Sequence, residues 1–269
     1  MSNLIFMILG GMIAGLFGSV LGLGGGVLII PMLNLIFGVP MREAIGASLV
    51  CVIATSSGAA SLYVKKRLAD IRLGMTLELA TTLGAIVGGL VAGILKPELL
   101  SVLFSLLLIY TAGTMFRKKV EPEDSETSNS HSLSEEGASP GYQVRRLPLG
   151  MGASFFAGNV SGLLGVGGGI IKVPVMYLFM GVPLKVVVAT SNFMIGVTAT
   201  ASAFVYFSRG DVQPLVAGPT MLGVFLGATL GSHLFPKIKS AHLEKALAFV
   251  LFGVALEMLF KALGLHFWF

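Results

Sequence analysis

Gly15–Pro31 reads GLFGSVLGLGGGVLIIP, and Gly158–Pro174, 143 residues further on, reads GNVSGLLGVGGGIIKVP. The same displacement carries Gly38, Val39 and Pro40 onto Gly181, Val182 and Pro183. It also carries Ser48 onto Ser191, Thr55 onto Thr198 and Tyr63 onto Tyr206, all without a gap. A register kept over so many positions is an internal duplication. Secondary transporters are commonly built this way, with the substrate site where the two repeats meet.

The surroundings of the repeated stretch are apolar. Hydrophobic residues make up 55% of the chain, charged residues 12%, and the mean hydropathy is +0.90. Apolar runs long enough to cross a bilayer recur, and they are continuous rather than alternating, so membrane helices are expected and not a barrel. The expected helices lie near 3–21, 26–37, 41–65, 71–95 and 98–117, then near 148–164, 169–180, 184–208, 213–235 and 240–263. The second helix of each set has about 12 residues. At about 1.5 Å per residue it falls short of a hydrocarbon core about 30 Å thick. Each half therefore reads as a broken-helix hairpin, with the glycine run at its tip, followed by three crossing helices. The fold class is an all-α polytopic membrane protein. Its parts are an N-terminal membrane repeat (1–117), a polar cytoplasmic linker (118–146) and a C-terminal membrane repeat (147–269).

The linker holds Glu121, Glu123, Asp124, Glu126, Glu135 and Glu136 among Ser, Asn, Pro and Gly residues, a composition that builds no core. Arg117, Lys118 and Lys119 precede it and Arg145 and Arg146 close it. A hairpin plus three crossings is an odd unit, so two in series are inverted. With the linker inside, Lys65, Lys66, Arg67, Arg72, Lys185, Lys237, Lys239 and Lys245 join those five on the inner side. Arg42, Lys96, Arg209 and Lys261 stay outside, giving 13 against 4. Parallel halves would weaken that bias. The aromatic end, His266 to Phe269, suits the interfacial belt. The formal charge of +5 follows this anchoring pattern and gives no reason to expect nucleic acid.

The glycine runs are the strongest chemical signal. Gly22, Gly24, Gly25 and Gly26, and their twins Gly165, Gly167, Gly168 and Gly169, each open a short helix. Glycine admits positive φ and leaves amides uncovered, and a helix start with unpaired N–H groups suits an anion. The competing reading is close helix packing by small residues. Polar residues gather in the third helix of each half: Ser48, Thr55, Ser56 and Ser57, then Thr190, Ser191, Asn192, Thr198 and Thr200. Ser48, Ser191 and Asn192, near the helix starts, are the first choices as anion donors. Helix-to-helix hydrogen bonding, or bonding back to the i−4 carbonyl, is the alternative for this group. Lys172, three residues past the second glycine run, is a candidate counter-charge, with snorkelling to the interface as its rival. Its counterpart is Ile29, so symmetry does not require it. Glu78 and Glu257 lie in apolar helices and are candidate carriers of a coupling proton.

The doubled motif, each copy followed by GVP and then by AS at 47–48 or TS at 190–191, resembles the sulfite exporter family TauE/SafE over nearly the whole chain. That resemblance implies a permease of eight or more membrane segments exporting sulfite, an organosulfonate or a similar sulfur oxyanion. The expected protein is a multi-pass secondary transporter of the cell inner (plasma) membrane. Its expected partners are a small anionic substrate, the lipid bilayer and a coupling proton, with room for a homodimer.

A passive anion channel on the same scaffold is the alternative. An enzyme is not expected: His131, His233, His242 and His266 lie in the linker or near helix ends, and no HExxH occurs. The glycine runs follow no strand, so they are no dinucleotide fingerprint, and no nucleotide-binding motif occurs. Cys51, the only cysteine, reads as a buried small hydrophobe; no metal site and no cofactor are expected.

Overall fold

The computed structural model describes residues 2–22, 24–117, 144–234 and 241–262. Most of the polar linker, Lys237, Lys239 and the aromatic end His266 to Phe269 lie outside the described residues. Ten helices are described: α1 (Ser2–Leu21), α2 (Gly26–Pro31), α3 (Met41–Lys65), α4 (Ile71–Ile94) and α5 (Pro97–Arg117), then α6 (Leu147–Leu164), α7 (Gly169–Pro174), α8 (Leu184–Ser208), α9 (Pro214–Leu234) and α10 (Ala241–Ala262). Among the described residues six helices are long and apolar enough to cross a membrane: α3, α4, α5, α6, α8 and α9. The all-α polytopic reading of the sequence therefore holds.

Local sequence explains where the helices break. Gly25 and Gly168, in the left-handed region at φ 76° and 74°, cap α2 and α7. A side chain is disfavoured in that conformation, and glycine removes the penalty. At the other end of each short helix stands a proline, Pro31 or Pro174, followed by a π turn, Met32–Ile36 or Val175–Phe179. The sequence predicts one plain helix over each of these spans. Proline lacks an N–H and crowds the carbonyl four residues back, so the ladder widens instead of continuing as α. Asp70 starts α4 by accepting from the Leu73 amide at 3.0 Å.

The helices pair across the repeat boundary. α1 packs on α9 and α4 on α6; α3 packs on α8 and α9; α4 also packs on α8, and α5 packs on α10. Shifting by 143 residues turns α1 into α6 and α4 into α9, so the first two pairings are copies of one another. Glycines make them close. A Cβ on Gly84 or Gly88 of α4 would overlap the carbonyl of Phe155 or Asn159 on α6. Their counterparts Gly227 and Gly231 of α9 stand in the same way against Met12 and Leu16 of α1. These are small residues at a spacing of four, the pattern that lets membrane helices approach backbone to backbone.

The outer surface is apolar. On α4, Leu79, Leu83, Leu90 and Ile94 form an exposed stripe, Ile94 at 84%, while Leu77, Thr81, Gly84, Ala85 and Gly88 are buried. In water such a stripe would be unstable; against lipid chains it is the stable arrangement.

Gly88→Ala is expected to lower the unfolding free energy in detergent by about 1–3 kcal/mol, because the added methyl meets backbone. Gly152→Ala, with nothing within 4 Å of the new methyl, is expected to leave thermal stability unchanged or slightly raised. Equal melting curves for the two variants would refute this account of the α4–α6 contact.

Candidate functional site

The two glycine turns come together. Gly22, Gly24 and Gly25 have φ of 69°, 79° and 76°, and Gly165, Gly167 and Gly168 have 67°, 78° and 74°. The six agree pairwise within a few degrees, so the duplication reaches down to single torsions. A Cβ on Gly26 would stand 2.5 Å from the Gly165 carbonyl oxygen and 2.9 Å from Ser48 Oγ. Val52 and Ile195, themselves 143 residues apart, each lie against both Gly24 and Gly167. The turns thus touch each other beneath a pair of apolar side chains. Both are buried, as is Gly169.

The three residues chosen first as anion donors sit at these turns and are engaged with backbone. Ser48 Oγ donates to the Gly165 carbonyl at 2.9 Å, and Ser191 Oγ to the Gly22 carbonyl at 3.1 Å. Each serine therefore fastens the glycine turn of the other half. Asn192 Nδ2 donates to Ser19 O at 3.2 Å and Val188 O at 2.9 Å, and its backbone carbonyl accepts from Ser56 Oγ at 2.6 Å. Asn192 Oδ1 is buried without a hydrogen-bond partner among the described residues. Thr55, Ser57 and Thr200 bond to Cys51, Ile53 and Gly196, four residues back on their own helices. For these three the i−4 reading is the correct one. Thr190 Oγ1 instead accepts from the Asp70 amide at 2.9 Å, tying α8 to the start of α4.

Lys172 does not snorkel. Its residue is 2% exposed, and Nζ donates to Thr198 Oγ1 at 3.0 Å and to Glu78 Oε2 at 3.4 Å. Thr198 in turn donates to Glu78 Oε1 at 2.5 Å, and Thr82 Oγ1 reaches the same oxygen at 3.3 Å. The sequence places Lys172 and Glu78 in separate roles and gives Lys172 no partner. The structure joins them as one buried ion pair between the two halves. Taking both charges out of water costs several kcal/mol per ion, and losing one partner strands the other, at about 3–5 kcal/mol. Glu257 stays apart: it is exposed on α10, whose inner face is Leu251, Ala255 and Met258.

Sequence reasoning missed Ser19, Ser161, Val52 and Ile195. Ser19 sits just before the first turn, and its carbonyl accepts from both Asn192 and Tyr63, the latter at 3.3 Å. Ser161 Oγ is buried without a partner among the described residues, beside Gly168. The 143-residue shift, applied to apolar as well as polar positions, pairs Val52 with Ile195. No group of three or more metal-ligating side chains occurs among the described residues. Of the histidines, His233 is described as exposed, while His131 and His266 lie outside the described residues.

Known proteins share this sequence over most of its length. The family model described as "Sulfite exporter TauE/SafE" matches residues 7–258. Probable membrane transporter protein YunE of Bacillus subtilis is 28% identical over 272 residues, 98% of this chain and 99% of that one. A probable membrane transporter protein of Methanocaldococcus jannaschii is 26% identical over 268 residues, 94% of each chain. Sulfite exporter TauE/SafE family protein 6 of Arabidopsis thaliana is 32% identical over 133 residues, 49% of this chain and 29% of that one. No solved structure gives a significant match.

Ser48→Ala and Ser191→Ala are each expected to cost about 1–3 kcal/mol, since each strands a buried carbonyl, and to cost similar amounts because the bonds are equivalent. Thermal unfolding beside Ser57→Ala, an exposed position expected to be neutral, checks this. A loss at Ser57 as large as at the other two would remove the special role of the cross-repeat bonds.

Proposed function

We propose, from the premise that this chain belongs to the sulfite exporter TauE/SafE family of membrane transporters, that it is a secondary transporter exporting a small sulfur oxyanion. Sulfite or an organosulfonate is the cargo in this reading, and the cell inner (plasma) membrane is its site. The observation that carries it is the meeting of two torsionally equivalent glycine turns, with the Lys172 cation beside one of them.

The chemistry follows from what the turns offer. A helix start presents amides without intrahelical acceptors, and an oxyanion has several oxygens to receive them. Lys172 supplies a full positive charge beside the turns. Ser48, Ser191 and Asn192 supply donors that bring no charge into the site. In the described conformation the two serine hydroxyls hold the opposite turn. As the turns part, those hydroxyls exchange a carbonyl for an oxygen of the anion, so the same bonds close the empty site and line the loaded one. The halves are inverted in this scheme, and the two hairpins rock against the crossing helices to expose the anion to one side at a time. Val52 and Ile195, packed against both turns, are the apolar closure.

Transport is tested with the full chain in vesicles and radiolabelled sulfite, thiosulfate and an organosulfonate. Saturating efflux of at least one is expected, and no flux of any would overturn the proposal. Flux proportional to driving force and indifferent to ion gradients would replace it with a passive channel. In binding assays on folded protein, Lys172→Ala and Asn192→Ala are expected to weaken the anion about tenfold or more, equivalent to about 1.4 kcal/mol. Wild-type affinity in both would move the site elsewhere.

A further inference from the structure

The buried ion pair breaks the symmetry that the rest of the site obeys. The 143-residue shift puts Lys172 on Ile29, Glu78 on Met221 and Thr198 on Thr55. Ile29 is fully buried in the apolar core and Met221 packs against that core. Among the described residues Thr55 bonds to its own helix alone, at Cys51. The fold therefore builds this corner without charges on one side and with a cation and an anion on the other. A buried ion pair is commonly no more stabilising than an apolar replacement, so stability gives no reason for it.

Its placement gives one. Lys172 is the fourth residue of α7; its amide bonds to the Gly168 carbonyl and its Cε lies beside Gly168, so the cation is tethered to a glycine turn. Glu78 belongs to α4 of the other half. Their contact, 3.4 Å, is longer than the 2.7–2.9 Å of a strong charge-assisted bond. Thr198, bonded to both, holds the two ends in place. Next to Lys172, across Gly168, stands the unpartnered Ser161 Oγ, a buried donor with no acceptor among the described residues.

We infer that Glu78 and Lys172 are one exchange unit, in which the transported oxyanion takes the place of the Glu78 carboxylate on Lys172 while Glu78 takes up one proton from water. The inference rests on the anion reading given under Proposed function. In the exchange the Nζ–Oε2 ion contact is lost, a contact between Nζ and an anion oxygen is made, and an O–H bond forms on Glu78 as the bond to that proton breaks in a hydronium ion or buffer acid of the aqueous phase. No covalent bond of the anion changes. For a monoanion the net charge of the corner is the same before and after, whereas an anion entering beside an ionised Glu78 would set two negative charges against one positive. Ser161 donates to the incoming anion, and Thr198 stays with the protonated acid.

No other titratable group takes part. α6 carries none between Leu147 and Leu164. On α4 the cation is Arg72, exposed at the helix start, with Asp70 capping it. On α8, Lys185 is exposed at the start, and Tyr206 near the far end donates to Leu163 O. Tyr177 in the π turn after α7 is exposed.

The test is anion binding to the purified full chain in lipid nanodiscs by calorimetry, in buffers of different ionisation enthalpy, with methanesulfonate and thiosulfate as probes of fixed charge. For the wild type, affinity is expected to rise about tenfold per pH unit of acidification where Glu78 gains its proton, with about one proton taken up per anion. Glu78→Gln, a neutral mimic that keeps bonds to Thr198 and Thr82, is expected to bind without pH dependence and without proton uptake. Glu78→Met with Lys172→Ile, which copies the apolar corner of the first half, is expected to fold and to bind neither probe.

Wild-type binding without proton uptake, an unchanged pH slope in Glu78→Gln, or wild-type affinity in the double variant would each overturn the exchange unit while leaving anion binding in place. If the wild type binds neither probe, the anion reading itself fails, and the exchange unit with it.

Discussion

A helix broken inside a membrane protein exposes carbonyls and amides that lipid cannot satisfy, and in this chain a carbonyl of each break is satisfied from the other half of the molecule. Ser48 donates to Gly165 and Ser191 to Gly22, so each break is closed by a hydroxyl from the opposite repeat. Neither half could keep its glycine turn alone, since an unpaired buried backbone group costs about as much as one hydrogen bond is worth and more. The close pairing of α1 with α9 and α4 with α6 follows from the same need. Only when the repeats interlock backbone to backbone do the two turns come within reach of the serines.

The architecture was legible because its signals are periodic or repeated. With the π turns counted as continuations of α2 and α7, helix boundaries read from apolar runs, glycine runs and prolines agree with the described helices to within about two residues. The duplication shows itself in sequence, and its torsional counterpart appears in six glycines. The π turns were not legible, because a proline inside an apolar run announces a disturbance but not its form. The partners of the polar side chains were not legible either. Whether Ser48 faces an opposing carbonyl, or Thr55 its own helix, depends on helix rotation, and the moment of an all-round apolar helix says little about rotation.

Lys172 and Glu78 show the same limit from another side. They lie 94 positions apart, with no spacing motif to connect them. One physical rule would have paired them: an ionised side chain deep in an apolar segment needs a counter-charge, and membrane-embedded charges usually find one another. The sequence offered one buried cation and two acids. The choice between the acids turned on the face of each helix. Glu78 shares the inward side of α4 with Leu77 and Thr81, whereas Glu257 falls off the Leu251–Met258 face of α10.

Symmetry and its breach divide the labour of the site. Equivalent elements, the glycine turns, the two serines and the Val52–Ile195 pair, give two matched surfaces that close on each other without preference for either half. A transporter built only of these would have nothing to distinguish one driving ion from none. The ion pair is present at one corner, and Ile29 and Met221 at the equivalent corner show that the fold tolerates its absence. In the exchange proposed above, this costly feature, joined to a turn that the fold repeats, serves what moves through the protein rather than what holds it together. The scaffold comes from the duplication, and in that proposal direction and coupling come from the residues in which the copies have diverged.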